Sequence, residues 1–233
     1  MKGEGSTHGG IEETGFALIE GVFSDATVSH LRDILQAEAT TVVGRGGIRN
    51  LLDVEEMRKL AQCSALRGLV EPVLGSKAIV VRGILFDKTD TANWKVPWHQ
   101  DVTIAVSQQI DAPGYGPWSV KAGVFHVQPP AEILENMLSV RIHLDDCPMQ
   151  NGALRVVPGS HRFGKLPATL SNGFFEGKPV AICAMKSGGV LLMRPLLVHA
   201  SSAAMLPQHR RVIHFDYASA ELPAGMDWAV AQA

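Results

Sequence analysis

Cysteine is scarce in this chain. Only Cys63, Cys147 and Cys183 are present, and no two of them sit at a CxxC or similar spacing. An odd count without pairing excludes a disulfide framework and a structural zinc site, and makes a reducing cytoplasm the expected home. The thiols are expected to be buried or idle. Charge of either sign is not in excess: 21 Lys and Arg face 23 Asp and Glu, for a formal net charge of −2. Near-neutrality gives no footing for nucleic acid or an anionic membrane as partner, yet leaves specific capture of small anions open. Long apolar runs are missing. The most apolar stretch, Leu191 to Val198, is interrupted by Arg194 and Pro195, so no membrane span is expected. Met1 to Gly10 is Gly-rich with mixed charge and lacks the apolar core of a signal peptide, so it is expected to be a disordered leader. There is no internal repeat and no low-complexity tract.

What is present is ordinary globular composition, 46% apolar and 19% charged over 233 residues. That length supports one sizeable core, expected as a single domain over residues 11–233. Gly15 to Ile19 reads as a short strand. Ser24 or Asp25 then starts a helix with Val28, Leu31, Ile34 and Leu35 on one face, and a second helix is expected over Val54 to Val70 with Pro72 just beyond it. From Lys77 the pattern changes to short β-branched runs: Lys77 to Phe86, Leu138 to Leu144, Ala153 to Val157, Val180 to Ala184, Val190 to Met193 and Val212 to Tyr217. Turn residues such as Asn151-Gly152 and Ser187-Gly188-Gly189 separate them. The expected class is mainly β with a helical layer, as a sandwich, jelly roll or barrel. Asp111 to Pro130 is too long and too punctuated by Pro and Gly for a hairpin turn, and is expected to act as a lid.

Chemistry gathers at two distant places. In Trp98-His99-Gln100-Asp101 the spacing projects His99 and Asp101 to one side of an extended segment, with Trp98 and Gln100 on the other; Pro97 suits a strand start or an edge. Alone, such a pair is more often a surface pair, or a buried histidine bonded to a carboxylate, than a metal site. His199 follows the hydrophobic strand that leaves the Ser-Gly-Gly turn and is the third candidate ligand. Arg210, eleven residues later, opens the next strand, and a hairpin from His199 would bring it to the same pocket. A guanidinium can hold a carboxylate in bidentate fashion, but Arg211 competes for the role because alternation lets only one of the two face inward. Two imidazoles, a carboxylate and an arginine suit a mononuclear non-haem Fe(II) oxygenase with a carboxylate-bearing co-substrate.

These residues carry a resemblance. Trp98-His99-Gln100-Asp101, Leu144-Asp145-Asp146, the run Asn151-Gly152-Ala153-Leu154-Arg155-Val156-Val157-Pro158-Gly159-Ser160-His161, His199-Ala200-Ser201 and Arg210 together resemble the phytanoyl-CoA dioxygenase family, in order and spacing, from about Phe86 to Tyr217. The resemblance implies a double-stranded β-helix (jelly roll, cupin-like). It implies iron on His99, Asp101 and His199, which are then the catalytic centre, and 2-oxoglutarate held by Arg210, preferred to Arg211, with help from Ser201. It implies O2 as oxidant, and hydroxylation of a small molecule coupled to decarboxylation of 2-oxoglutarate to succinate. Halogenating relatives lack the carboxylate that Asp101 supplies here. Ala200 stands where the family often has glycine, and Ala203-Ala204 where a polar residue is common. His161 is expected to be structural.

Substrate candidates are Trp94, Lys95 and Trp98 before the ligands, and Trp118, Lys121 and His126 in the expected lid. Arg141 and His143 alternate with apolar neighbours, and that polar face either lines the pocket or faces solvent. Two rivals share these residues: a zinc or manganese hydrolase or isomerase on a cupin-like fold, and a jelly-roll binding module without turnover.

Overall fold

Strand β8 (Met137–His143) shows how the layers arise: all seven of its residues are buried, yet they alternate in kind. Leu138, Val140 and Ile142 join the largest apolar core, while Ser139, Arg141 and His143 take the other face. The computed structural model describes residues 7–39, 47–167, 177–205 and 209–230. In it β8 belongs to a six-stranded antiparallel sheet with β1 (Phe16–Ile19), β2 (Gly47–Ile48), β3 (Ile79–Lys88), β11 (Val190–Met193) and β13 (Arg210–Ala218). Their order is β1-β11-β8-β13-β3-β2. A four-stranded sheet joins β4 (Val96–His99), β9 (Leu154–Val156), β10 (Ala181–Cys183) and β12 (His199–Ser201) in the order β10-β9-β12-β4. Side chains from both sheets line one cavity. The fold is a mainly β double-stranded β-helix, jelly-roll and cupin-like in architecture.

Helices cover the outer face of the larger sheet. Ser24 caps α2 (Asp25–Ala39), its Oγ accepting from the Thr27 amide at 3.2 Å. Val28, Leu31 and Leu35 of that helix pack in the same core as Val140, Ile142, Ile213 and Phe215. The single helix expected over 54–70 is two: α3 (Glu55–Ala61) and α4 (Ser64–Leu74), separated where Cys63 takes an extended conformation. Apolar spacing carries across that break, which hid it. Pro72 lies inside α4 rather than beyond it. In a last turn a missing amide costs only one hydrogen bond.

The N-terminal helix α1 (Thr7–Thr14) begins within the expected leader, so Thr7 to Gly10 are helical; residues 1–6 lie outside the described residues. The Pro158-Gly159-Ser160-His161 turn clamps the junction of α1 and β1. The Gly159 amide donates to the Thr14 carbonyl at 2.8 Å, and His161 Nε2 lies 3.2 Å from the Glu12 carbonyl. Ser160 Oγ accepts from the Val198 amide at 2.8 Å. A Cβ on Gly15, which has φ +86°, would come within 2.5 Å of the His161 ring. His161 is therefore structural.

Two further expectations are corrected. The segment 111–130, expected to be too long and too punctuated for a hairpin turn, contains a hairpin: β6 (Trp118–Lys121) and β7 (Val124–Val127) pair and extend β5 (Ile104–Val106) into a third sheet, followed by Pro130 at the start of the short helix α5 (Ala131–Glu135). Its two-residue turn, Ala122-Gly123, has both φ angles positive (49° and 78°), the geometry that matches strand twist in a tight hairpin. Nor do β12 and β13 form a hairpin. They belong to different sheets, so Arg210 reaches the pocket from the larger sheet and not from the ladder that holds His199. No described helix is long and apolar enough to cross a membrane.

Candidate metal centre

His99 and His199 are register partners on β4 and β12, at the edge of the smaller sheet where Pro97 costs no ladder bond. Asp101 lies just past the end of β4, held by its own amide donating to the Pro195 carbonyl at 2.9 Å. Gln100 projects away and clamps the neighbouring segment, donating to the Leu196 and Gly164 carbonyls at 2.7 and 2.8 Å. One donor atom from each of His99, Asp101 and His199 falls within 4.8 Å of the others. The Asp101 carboxylate is 3.8 Å from His99 Nε2 and 3.6 Å from His199 Nε2.

Both rings are oriented for ligation. His99 Nδ1 lies 2.9 Å from the Pro97 carbonyl, and His199 Nδ1 lies 2.8 Å from that of Leu197. A carbonyl only accepts, so each Nδ1 carries the hydrogen and each Nε2 presents its lone pair toward the other donors. Burial pushes the His199 imidazole down to about 4 against the pull of Asp101, which keeps it neutral near pH 7. Burial alone would raise the Asp101 carboxyl, but His199, His99, His214 and Arg82 overcome it and hold the group below its ordinary value. Two imidazoles presenting Nε2 and one carboxylate are a donor set that fits Fe(II) with open positions remaining.

The same cavity, about 220 Å³, has a cationic end. Arg210 and Lys88 are register partners on β13 and β3, and both are buried, at 4% and 1% exposure. Lys88 Nζ donates to Ser201 Oγ at 2.9 Å and to the Ser202 carbonyl at 2.7 Å. Arg210 Nη1 donates to the Gly152 carbonyl and lies 3.5 Å from Ser201 Oγ, while its Nε has no partner. Gly152, at φ +70°, keeps this corner open: a Cβ there would meet the Ser202 carbonyl at 2.6 Å and stand 3.5 Å from Lys88 Nζ. Burial and the neighbouring Arg210 push the Lys88 amine down to about 8. Arg211 points the other way and grips Asp145 through Nε at 2.9 Å and Nη2 at 2.8 Å, which settles the competition between the two arginines in favour of Arg210 as the inward one.

Between the sheets runs a chain of polar contacts. Asp216 accepts from Arg82 Nε and Ser139 Oγ, each at 2.6 Å, and from His214 Nε2 at 2.9 Å. Arg141 Nη1 donates to His214 Nδ1 at 3.0 Å. Arg82 and His214 also oppose burial at Asp216 and hold its carboxyl far below the ordinary range.

Of the substrate candidates, Trp94, Lys121 and Arg141 line the metal cavity, and His126 lines an adjoining one. Arg141 and His143 both face inward, but His143 is buried without lining the cavity, and burial pushes its imidazole to about 3. Lys95 is exposed outside the cavity. Trp98 stacks under Arg155, 5.1 Å from the ring, and packs with Val157 and Val198. Trp118 packs into the core that contains Ile104 and Trp228. Sequence reasoning missed Lys88, Arg82, Arg49, Phe86 and His214 as lining residues. The signal for β3 was there: Arg82, Ile84, Phe86 and Lys88 recur every second residue.

No curated protein matches the chain, but several solved structures share its fold. The epimerase SnoN from nogalamycin biosynthesis, in complex with Fe3+, alpha ketoglutarate and nogalamycin RO, aligns with a TM-score of 0.71 at 16% identity, over 94% of this chain and 90% of its own. The carbocyclase SnoK from the same biosynthesis, non-heme and alpha ketoglutarate dependent, gives 0.71 at 16%, over 92% and 83%. HygX from Streptomyces hygroscopicus, with nickel and 2-oxoglutarate bound, gives 0.66 at 20%, over 89% and 84%. At these identities the likeness is one of fold. The sequence model of phytanoyl-CoA dioxygenase (PhyH) matches residues 11–212, well over half of the chain. With that match spanning both histidines, the carboxylate and the inward arginine, the chain belongs to the phytanoyl-CoA dioxygenase family of Fe/2-oxoglutarate-dependent enzymes.

Proposed function

We propose that this chain is an Fe(II)- and 2-oxoglutarate-dependent dioxygenase that hydroxylates a small molecule, with residues 11–233 acting as one catalytic domain. The observation that carries the reading is that the His99–Asp101–His199 donor set and the buried Lys88–Arg210 pair open into one cavity. His99, Asp101 and His199 would hold the iron. When bound, that iron supplies dioxygen activation coupled to oxidation of 2-oxoglutarate to succinate and carbon dioxide.

The chain's own residues position and shield. Arg210 and Lys88 receive the distal carboxylate of 2-oxoglutarate, whose charge relieves the repulsion of two buried cations. Ser201 orients Lys88, and Gly152 leaves the space for the carboxylate. Ile84, Phe86, Val96 and Leu154 give the cavity its apolar wall and limit water around the reacting C–H bond. The carboxylate of Asp101 supports hydroxylation over halogenation, because a halide would need the ligand place that Asp101 fills.

The test begins without oxygen. Adding Fe(II) and then 2-oxoglutarate to the apoprotein gives a visible charge-transfer band; no band together with tight zinc binding supports a hydrolase instead. Admitting oxygen and substrate then yields succinate and a product heavier by one oxygen atom. The likeness to an epimerase and a carbocyclase makes rearrangement without oxygen gain the second reading, and the product mass separates the two.

A further inference from the structure

Two cavities meet at the end of β3 away from Lys88. The metal cavity and a smaller one of about 110 Å³ share Arg49, Arg82, Ile84 and Lys121 in their walls. Three separate segments deliver those cations: Arg49 follows β2, Arg82 lies within β3, and Lys121 ends β6. Asn50, held in the left-handed region at φ 59°, donates its Nδ2 to the Ala122 carbonyl at 3.2 Å. That bond pins the Arg49 segment to the hairpin turn beside Lys121.

Little on the protein neutralises this group. Arg82 is paired with Asp216. Asp53 lines the smaller cavity, but among the described residues neither Arg49 nor Lys121 forms an ion pair. Burial pushes the Lys121 amine below its ordinary value, and Arg82 and Arg49 push it the same way against the pull of Asp101. Arg141, buried in the wall of the metal cavity, keeps its Nε without a partner. Arg49 is exposed at the mouth, while Lys121 and Arg82 are half-buried and Arg141 is buried; gathering like charges as the place dries costs free energy unless an anion joins them.

The anion is not the one bound by Lys88. Arg82 and Lys88 are six positions apart on β3, with Ile84 and Phe86 between them on the same face, about 20 Å of extended chain, too far for one 2-oxoglutarate to touch both. The metal cavity is also small against the roughly 300–1,000 Å³ of drug-sized sites.

We infer that the substrate is a small organic anion whose carboxylate or phosphate docks between Arg49 and Lys121, with Arg82 and Arg141 on the side toward the metal ligands. The inference rests on the reading that 2-oxoglutarate occupies the Lys88–Arg210 end. It also gives the hairpin a purpose, as the element that carries the substrate's counter-charge.

Protein loaded without oxygen with Fe(II) and 2-oxoglutarate is titrated by calorimetry with inorganic phosphate and, separately, with propionate. At least one binds, its affinity falls as chloride is added, and the R49Q/K121Q protein binds it about tenfold or more weakly. The tighter of the two probes names the substrate's anionic group. The conservative R49K/K121R protein retains binding, which separates lost charge from lost structure. Absence of binding of both probes to the native protein, or equal binding to R49Q/K121Q, overturns the inference. The preceding 2-oxoglutarate titration reports on the other end: its failure removes the co-substrate reading, while the phosphate and propionate results still read on Arg49 and Lys121.

Discussion

Lys88 and Arg210 stand directly opposite each other in the register of β3 and β13, two buried cations with no carboxylate bound to either among the described residues. Like charges at such a position are destabilising in a sheet. Their partners are neutral oxygens from Gly152, Ser201 and Ser202. The arrangement stores an electrostatic demand that the dicarboxylate proposed to bind there would meet.

Replacing Arg210 with Met therefore raises the Kd of 2-oxoglutarate roughly 30-fold or more, corresponding to about 2 kcal/mol or more for a buried charge contact. Arg211→Ala, which removes only the Asp145 contact on the outer side, leaves that Kd within about twofold. Anaerobic titration monitored by the visible band measures both, and equal effects remove Arg210 from the site.

The amine of Lys88 titrates near pH 8, below its unfolded value, because burial and Arg210 disfavour its charge. At lower pH it is protonated and favours the anion. As pH rises through about 8 the charge is lost, so 2-oxoglutarate binds progressively more weakly. The apoprotein moves in the opposite sense: above pH 8 the unfolded chain holds the proton that the folded one has lost, and this group's contribution to stability increases. A Kd series across this range checks the first effect, and Lys88→Met flattens it.

Asp101→Ala deletes the only carboxylate among the three candidate ligands. Fe(II) affinity falls by more than the roughly 10–100-fold that loss of an outer partner costs, and succinate formation with substrate stops. Metal content after dialysis and succinate assay together test this; near-native values for both exclude Asp101 from the centre.

Tyr217 anchors β13 to the helical layer, its hydroxyl donating to the Ala61 carbonyl at 2.6 Å at the end of α3. Tyr217→Phe leaves that buried carbonyl without its donor and lowers stability by about 1–2 kcal/mol. Urea unfolding reads the loss, and 2-oxoglutarate affinity stays unchanged.

The Ala122-Gly123 turn holds an alanine at φ 49°, where a Cβ is costly. Ala122→Asn gives the favoured Asn-Gly pair and raises stability by about 0.5–1 kcal/mol, measured by the shift in the urea midpoint. A decrease shows that the turn does not hold this geometry in solution.

Local patterns in the sequence were legible where the physics is local. The alternation of Arg141 and His143 with Val140 and Ile142, the helix start at Ser24 or Asp25 and the projection of His99 and Asp101 to one side all reappear in the structure. Alternation also said that only one of Arg210 and Arg211 could face inward; the resemblance favoured Arg210, and the grip of Arg211 on Asp145 came from the structure alone. What could not be read was which strand meets which. A spacing of eleven residues between His199 and Arg210 suggested a hairpin, yet their strands lie in different sheets and meet only through side chains. The hairpin within 111–130 was masked because Ala-Gly is a poor turn signal and Pro and Gly crowd the flanks. Lys88 was overlooked because the β3 run looked finished at Phe86, two residues short of the charge at its inner end.

Strand β1 caps the larger sheet at one edge, stitched down by α1, Glu12 and the turn at Gly159. Trimming the chain to start after Ile19 would strip that cover and leave the backbone of β11, a buried and wholly apolar strand, facing water with unpaired amides and carbonyls. Such a bare border recruits strands from other molecules. Residues 7–19 thus act as a selvedge that keeps neighbouring copies from knitting together, and a shortened form should be recovered as aggregate even though every candidate metal ligand is intact.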